Sequence, residues 1–363
     1  MAEINEKKLN DNVSKKLTVY GFVMTIFIVL SHWTHFYRGM NLGTESAVLD
    51  VLDNFYSMLG LLSLASFFLL SGFLFYYGIE SYKDLGGKLV RRLISLGIPF
   101  AVWNAVYLIY NILYSLYKSE PLPSFKEILL GFSIMPFDAP LWYLLALLVL
   151  AALSPIILLL KKHRAIGIAV LAVVFVGCLI FTSRVSLGGY GFWITRLVGY
   201  IPLYMLGAVL GMYCGGAVAH EKYHTGTLGI VAAVIFVAGV VYFTFFPQKI
   251  SPLNTVFYYA MAVTSWLAVP SGAFERFRVR FPVTVSYFVY SMHALLILIL
   301  NWLVTRKLLV SVDLPIAVDI IIHLALVGVL YLICLGVAYL AKRILPERVY
   351  RIFAGGSAGR KLI

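Results

Sequence analysis

Continuous apolar runs separated by short polar segments make up the hydrophobic pattern of this chain. A helix that crosses a bilayer needs about 20 mostly apolar residues. Runs of this kind predict spans at 17–36, 57–78, 93–115, 141–160, 165–182, 193–213, 227–246, 254–270, 282–303 and 317–341. The runs do not alternate between apolar and polar residues, which excludes membrane-spanning strands. We therefore predict an all-α integral membrane protein with about ten transmembrane helices.

The composition is typical of an integral membrane protein. Hydrophobic residues make up 61% of the 363 residues, charged residues only 12%, and the mean hydropathy is +0.92. Soluble domains carry about 25% charged residues, so this chain lacks the polar surface that a water-facing protein of its size needs. Lipid must be the solvent of its outer face.

Lysine and arginine are divided unevenly between the two sides that these spans define. The side that carries both termini holds 21 of them, and the opposite loops hold 7. Because cytoplasmic loops retain such an excess, we expect both termini in the cytoplasm and the protein in the cell (inner) membrane. The net charge of +13 reflects this bias, and no basic-aromatic module indicates a nucleic-acid partner.

One membrane domain accounts for nearly the whole chain. We predict a polar tail over 1–16, a transmembrane domain over 17–341 and a basic cytoplasmic tail over 342–363. The first apolar run is too long for a cleaved signal peptide and no A-x-A site follows it. The three cysteines are spaced neither for a metal site nor for a disulfide framework, and we expect no metal and no bound cofactor.

Two histidines near the outer end of the first span are the strongest chemical candidates. His32 follows Leu17 by 15 residues, which is about 23 Å of helix and places it in the outer third of the bilayer. His35 lies three residues further on. A histidine can take a proton from a hydroxyl nucleophile, and ionisable residues in a membrane are costly unless they serve a function. The alternative is a histidine that hydrogen-bonds a neighbour at a helix end.

Polar residues at the inner side suggest a donor path. Ser71 lies in the inner half of the second span, where it either permits close helix packing or lines a polar passage. It differs from His32 in depth by about 14 Å, which argues against a Ser–His hydrolase pair. Arg91 and Arg92 begin the third span. Their guanidinium forks suit the phosphates of a nucleotide-like donor, or they anchor the helix end, and Arg276, Arg278 and Arg280 compete for the same role.

Further polar and aromatic residues lie in the later spans. Trp142 and Tyr143 start the fourth span at its outer end, where they form an aromatic belt or stack on a sugar acceptor. Arg196 lies inside the sixth span and either faces a polar cavity or reaches outward. His293 and His323 occupy the ninth and tenth spans, and either fits a satisfied interior histidine.

Taken in order, several motifs resemble the acyltransferase 3 family of membrane acyltransferases, which includes sugar and peptidoglycan O-acetylases. The resemblance spans about residues 17–341. The motifs are the first helix ending at His32, FFLLSGF at 67–73, RRLISLGIPF followed by Trp103–Asn104, PLWYL at 140–144 with Ser154–Pro155, YMLGAVLG at 204–211 and SYFVYSMH at 286–293. The resemblance implies acyl transfer, commonly of acetyl from acetyl-CoA, to a hydroxyl of an envelope molecule. His32 matches the family's essential histidine.

The sequence departs from the family's pattern at two places. The family often has an arginine or lysine eleven residues before the histidine, and Gly21 stands there in this chain. Many members have an arginine shortly after the Trp–Tyr pair, where this chain has Leu144, Leu145 and Ala146. Either Arg196 or the Arg91–Arg92 pair takes over the missing cation, or the chain belongs to a divergent or inactive branch.

The resulting hypothesis is a membrane O-acyltransferase. Cytoplasmic acyl-CoA binds by its phosphates at Arg91 and Arg92, its arm passes Ser71, and His32 acts as general base or transient acyl carrier. The acceptor is a hydroxyl of an envelope glycan, and Asp53 and Asp138 are candidates to orient His32. The alternatives are a secondary transporter or exporter of a glycan-related substrate and a non-catalytic member of the same family.

Overall fold

The computed structural model describes residues 9–38, 47–185, 192–223, 225–246, 252–278, 281–303 and 315–355. Within these ranges all regular structure is helical. The α-helices in chain order are α1 Asp11–Arg38, α2 Ala47–Tyr76, α3 Tyr82–Arg92, α4 Ile98–Lys118, α5 Phe125–Ser133, α6 Trp142–Ala152, α7 Ser154–Leu158, α8 Arg164–Arg184, α9 Phe192–Tyr213, α10 Gly215–Ala219, α11 Gly226–Phe245, α12 Pro252–Leu267, α13 Phe281–Thr284, α14 Ser286–Leu303, α15 Ile316–Ile344 and α16 Glu347–Ala354.

Seven helices of the described chain are long and apolar enough to cross a membrane. They are Asp11–Trp33, Asp50–Tyr76, Tyr82–Lys118, Arg164–Arg184, Trp193–Tyr213, Gly226–Phe245 and Ile320–Ile344. The segments Ala139–Ala152 and Ser154–Lys162 meet at 52° and count as an eighth span if they are taken as one. The helical membrane fold is thus confirmed, while the count of ten and the side of the termini stay predictions. The difference in count lies in α12 and α14, which are helical but short.

The first helix begins inside the segment that the sequence assigned to a polar tail. α1 starts at Asp11 because Lys16, although charged, has partners to bury against: its Nζ lies 2.5 Å from a Glu221 carboxylate oxygen and 4.0 Å from the Trp266 ring centroid. Burial alone would raise the pKa of Glu221. Hydrogen bonds from Lys16 and from the backbone N–H of Ser271 outweigh it and lower that pKa.

The far end of the chain is also partly helical. α16 packs on α4, where the Trp103 indole Nε1 donates a hydrogen bond of 3.0 Å to the Phe353 carbonyl. The neighbouring Asn104 is fully buried and bridges two backbone groups, accepting from the Phe137 N–H and donating to the Gly131 carbonyl, each at 2.8 Å. The Trp103–Asn104 pair therefore joins α4 to α16 and to the segment that leads into α6.

Close packing of α2 on α9 forms the centre of the molecule. A Cβ built at Gly72 would lie 2.1 Å from the Tyr204 carbonyl oxygen, and one at Gly207 would lie 2.0 Å from that of Leu69. Only glycine permits this approach, as expected for membrane helices that pack through small residues. Gly72 thus serves packing, which leaves its neighbour Ser71 to face another direction.

A π-helical turn, Leu93–Gly97, joins α3 to α4. Pro99 explains it, because in a regular α-helix the proline ring would clash with the carbonyl of Ser95 and no N–H is present to bond it. Such widened turns are frequent at functional sites. Arg92 is the last residue of α3, immediately before this turn.

Candidate active site

A cavity of about 220 Å³ lies among α1, α2, α6, α14 and the π-helical turn. Its wall is mostly apolar and aromatic, and its non-aromatic polar members are Thr25, Ser71, Arg92 and Ser286. The lining residues are Gly21, Thr25, Phe67, Ser71, Arg92, Leu96, Tyr143, Leu144, Leu147, Ser286, Tyr287 and Tyr290. A concave, largely apolar site with few polar groups is typical of a small-molecule binding site.

Arg92 supplies the positive charge of this cavity. Its Nη2 donates a hydrogen bond to the Ser71 hydroxyl, which also lies beside the Tyr143 hydroxyl. Its Nε is buried and has no hydrogen-bond partner, and no carboxylate in the described chain pairs with the guanidinium. Arg92 is half-buried, and a positive charge that is partly removed from water gains from an acceptor partner. The group therefore suits an anionic or carbonyl oxygen of a bound molecule.

The structure separates the two arginines that the sequence treated as a pair. Arg91 is exposed, and its guanidinium lies back along α3, 3.7 Å from the Cβ position of Gly87. It is not part of the cavity lining. Of the two predicted donor-binding residues, only Arg92 reaches the cavity.

Gly21 lines the same cavity from α1. A Cβ at this position would meet nothing within 4 Å, so open space stands where the family often has a cation. Arg92, which enters from α3, brings a guanidinium to that space. The departure noted in the sequence therefore does not leave the cavity without positive charge.

Two side chains, Tyr290 and His293, connect the cavity wall to His32 by ring contacts. Tyr290 lines the cavity, and its ring centroid lies 5.9 Å from that of His293. The His293 ring in turn lies 5.2 Å from the half-buried His32 ring, tilted by 57°. His32 follows Thr25 by seven residues, which is about 10 Å of helix. The histidine pair is therefore about two helical turns beyond the part of the cavity that α1 lines.

The depth of Ser71 relative to His32 agrees with the sequence argument. A Cβ at Gly60 would touch the Ser31 side chain, so Gly60 of α2 lies level with the histidine end of α1. Ser71 is eleven residues further along α2, about 16 Å away. Ser71 and His32 thus form no catalytic pair, and Ser71 is instead a partner of Arg92.

Trp142 and Tyr143 do not form an outer aromatic belt. Tyr143 shares the cavity with Ser71 and Arg92, and Trp142 is buried against Phe68, with ring centroids 6.0 Å apart. The reason is that α6 starts inside the protein, after a short 3₁₀ turn, and is the first half of a bent segment. The two residues therefore lie at the level predicted for the donor path, and Trp142 offers no open face to a sugar.

Arg196 has a packing role outside the cavity. Its guanidinium carbon lies 5.6 Å from the centroid of the Trp142 ring, a cation–π contact. Trp142 also contacts Tyr200, whose ring stacks on Phe68 at 4.9 Å. Arg196 itself does not line the cavity.

The remaining predicted residues are not among those that line the cavity. His35 lies in α1, but its side chain is outside the described part of the structure. Asp53 is half-buried in α2. Asp138 is buried and lies beside Tyr107. His323 stacks on Tyr56 at 5.3 Å. In the described residues, no group of three His, Cys, Asp or Glu side chains could hold a metal ion.

Sequence reasoning missed the partner of His32. The sequence predicts that His293 fits a satisfied interior histidine. Its Nδ1 lies 2.6 Å from the Tyr290 carbonyl oxygen, but its Nε2 is buried and has no hydrogen-bond partner among the residues that the structure describes. The available signal was its place as the last residue of the motif SYFVYSMH. A single sequence could not show that this residue meets His32, because the two are far apart in the chain.

Comparison with known proteins gives one match. A family model described as an acyltransferase domain covers residues 22–343. That range contains both histidines of the pair and every lining residue of the cavity except Gly21. No curated protein and no solved structure matches the chain.

Proposed function

Because the chain belongs to the acyltransferase 3 family of membrane acyltransferases, we propose that it is an O-acyltransferase. The donor is acyl-CoA from the cytoplasm, with acetyl as the acyl group, and the acceptor is a hydroxyl of an envelope glycan. The membrane is the cell membrane. His32 is the catalytic residue.

The observation that supports this proposal most is the continuity from Arg92 to His32. The cavity carries the Arg92 guanidinium, which no carboxylate pairs with in the described part of the chain. It reaches Tyr290, whose ring contacts His293, and the His293 ring contacts that of His32. Arg92 places a cation in the cavity wall, and the His32 imidazole lies beyond Tyr290 and His293. This arrangement suits a donor that has a charged head and a reactive end. The mostly apolar wall between them suits an uncharged arm.

The reaction needs one base and no cofactor. His32 takes the proton of the acceptor hydroxyl as its oxygen forms a bond to the thioester carbonyl carbon. The C–S bond then breaks, and the protonated His32 returns the proton to the departing sulfur. The products are an O-acyl ester and free CoA thiol, so atoms and charge balance. Arg92 and Ser71 hold the donor while these steps occur.

Doubly labelled acetyl-CoA tests the proposal. Membranes containing the protein, and matched membranes lacking it, are incubated with acetyl-CoA that carries ¹⁴C in the acetyl group and ³H in the adenine. Envelope glycan is then isolated and treated with mild alkali. We expect protein-dependent ¹⁴C in the glycan that alkali releases as acetate, without ³H.

The alternatives give different results in the same experiment. An exporter of a glycan-related substrate would change the amount of glycan outside the membrane but not its ¹⁴C per sugar. A non-catalytic family member would leave ¹⁴C incorporation equal in the two membranes. Either result, with the protein shown to be inserted, contradicts the acyltransferase proposal.

A further inference from the structure

His293 is bonded at only one of its two ring nitrogens. The side chain is fully buried in α14, and Nδ1 lies 2.6 Å from the Tyr290 carbonyl oxygen. A carbonyl only accepts hydrogen bonds, so we assign the hydrogen to Nδ1. In neutral imidazole Nε2 then carries a lone pair and is an acceptor.

This acceptor atom, His293 Nε2, lacks a donor in the described part of the chain. Nε2 of His293 is buried and has no hydrogen-bond partner within the described residues. Buried polar atoms are almost always bonded, and an exception calls for an explanation, often a catalytic one. The closest ring to consider is His32, whose centroid is 5.2 Å away at a tilt of 57°. The half-buried His32 ring is therefore in contact with the ring that carries this unmatched acceptor.

We propose that His293 is a positioning residue that accepts a hydrogen bond from His32 and thereby fixes its tautomer. This inference rests on the proposed function, in which His32 is the base. With its hydrogen committed to the nitrogen that faces His293, His32 presents the lone pair of its other nitrogen to the acceptor hydroxyl. The same bond strengthens when His32 becomes protonated, because charged donors form stronger hydrogen bonds.

The proton balance of the step is unchanged by His293. His32 gains the proton of the acceptor hydroxyl on the nitrogen that does not face His293 and loses it to the departing thiolate. The hydrogen shared with His293 stays on His32 throughout. His293 therefore holds and orients the base, and it neither touches the substrate nor changes its own protonation.

Two substitutions separate this role from a purely structural one. In His293→Gln, the side-chain oxygen reaches the place of Nε2 and can accept from His32. In His293→Asn, the shorter amide reaches only the place of Nδ1, so it can keep the bond to the Tyr290 carbonyl but offers nothing to His32. A structural role predicts that Asn is the better replacement, and the positioning role predicts that Gln is.

Steady-state release of CoA is measured with acetyl-CoA and isolated envelope glycan, together with the Kd of an acetyl-CoA thioether analogue as a check of folding. We expect kcat to fall about 100-fold in His293→Asn and to stay within about tenfold of the unmodified protein in His293→Gln, as for loss of an oriented acid–base group. The KM for acetyl-CoA and the Kd of the analogue should be unchanged in both variants.

The inference is overturned if His293→Asn keeps full kcat, or if both variants bind the analogue normally and lose kcat equally. If His293→Asn no longer binds the analogue, His293→Leu takes its place, and we expect the same fall in kcat because leucine also offers His32 no acceptor. The variant His32→Ala is assayed alongside. Full activity there contradicts the proposed function itself, whereas an inactive His32→Ala with a fully active His293→Asn contradicts the positioning role alone.

Discussion

The side chains of adjacent residues on a helix point about 100° apart. This difference in direction explains why Arg92 lines the cavity and Arg91 does not. Arg92 turns inward to Ser71, while its neighbour Arg91 is exposed to solvent. The sequence shows two equivalent guanidinium groups, because neither their direction nor the π-helical turn that follows them can be read from hydropathy. The sequence therefore predicts two cations at this helix end, but it does not predict which of them faces the cavity.

The two arginines form a matched pair of variants. We expect Arg92→Gln to raise the KM for acetyl-CoA more than it lowers kcat, because contacts remote from the reacting carbonyl contribute uniform binding. A lost charge-assisted hydrogen bond costs about 1.5–3 kcal/mol, roughly a tenfold or larger change in KM. Arg91→Gln should leave KM unchanged. Equal effects of the two substitutions in initial-rate assays would show that both arginines only anchor the helix end.

The open space at Gly21 offers a second test at this scale. A side chain at this position would project into the cavity, since a Cβ there meets nothing within 4 Å. We expect Gly21→Leu to lower kcat/KM for acetyl-CoA roughly tenfold or more by displacing the donor arm. Gly177→Leu is the control, because Gly177 also has nothing within 4 Å but lies exposed on α8. A fully active Gly21→Leu would mean that the donor does not use this cavity.

At the scale of elements, continuous apolar runs predicted the helices well and their depth less well. Each predicted span is helical over most of its described residues, because a lipid-embedded backbone must bond within its own segment. Tyr143 shows where the pattern fails. Its helix starts inside the protein and bends by 52° with α7, and an apolar run looks the same whether it begins at the membrane surface or within the fold.

The packing of α2 on α9 makes a prediction about stability. Gly207→Ala should lower the free energy of unfolding by about 1–3 kcal/mol or more, because the new methyl would meet the Leu69 carbonyl, a backbone atom that cannot turn away. Gly336→Ala, on an open face of α15, should be neutral or slightly stabilising, since alanine favours helix over glycine. Thermal unfolding in detergent checks both. An unchanged midpoint for Gly207→Ala would contradict the close approach.

At the scale of the whole molecule, orientation decides which side supplies the donor. Charge bias predicts that Lys83 faces the cytoplasm and that Glu120, after α4, faces outward. In a background without Cys178, Cys214 and Cys334, we expect an impermeant thiol reagent to label Glu120→Cys but not Lys83→Cys in intact cells. Both should react after permeabilisation. The reverse labelling would place Arg92 on the outer side and exclude a cytoplasmic donor.

The central claim is that His32 performs the acyl transfer, and the turnover of purified His32→Ala tests it most directly. CoA release from acetyl-CoA in the presence of envelope glycan is measured for His32→Ala and for the control His163→Ala. The control removes an exposed histidine just before α8. We expect kcat to fall by about 10²–10⁴ or more in His32→Ala, as for loss of a general base, while His163→Ala keeps full activity. A correctly inserted His32→Ala with unchanged kcat would contradict the account.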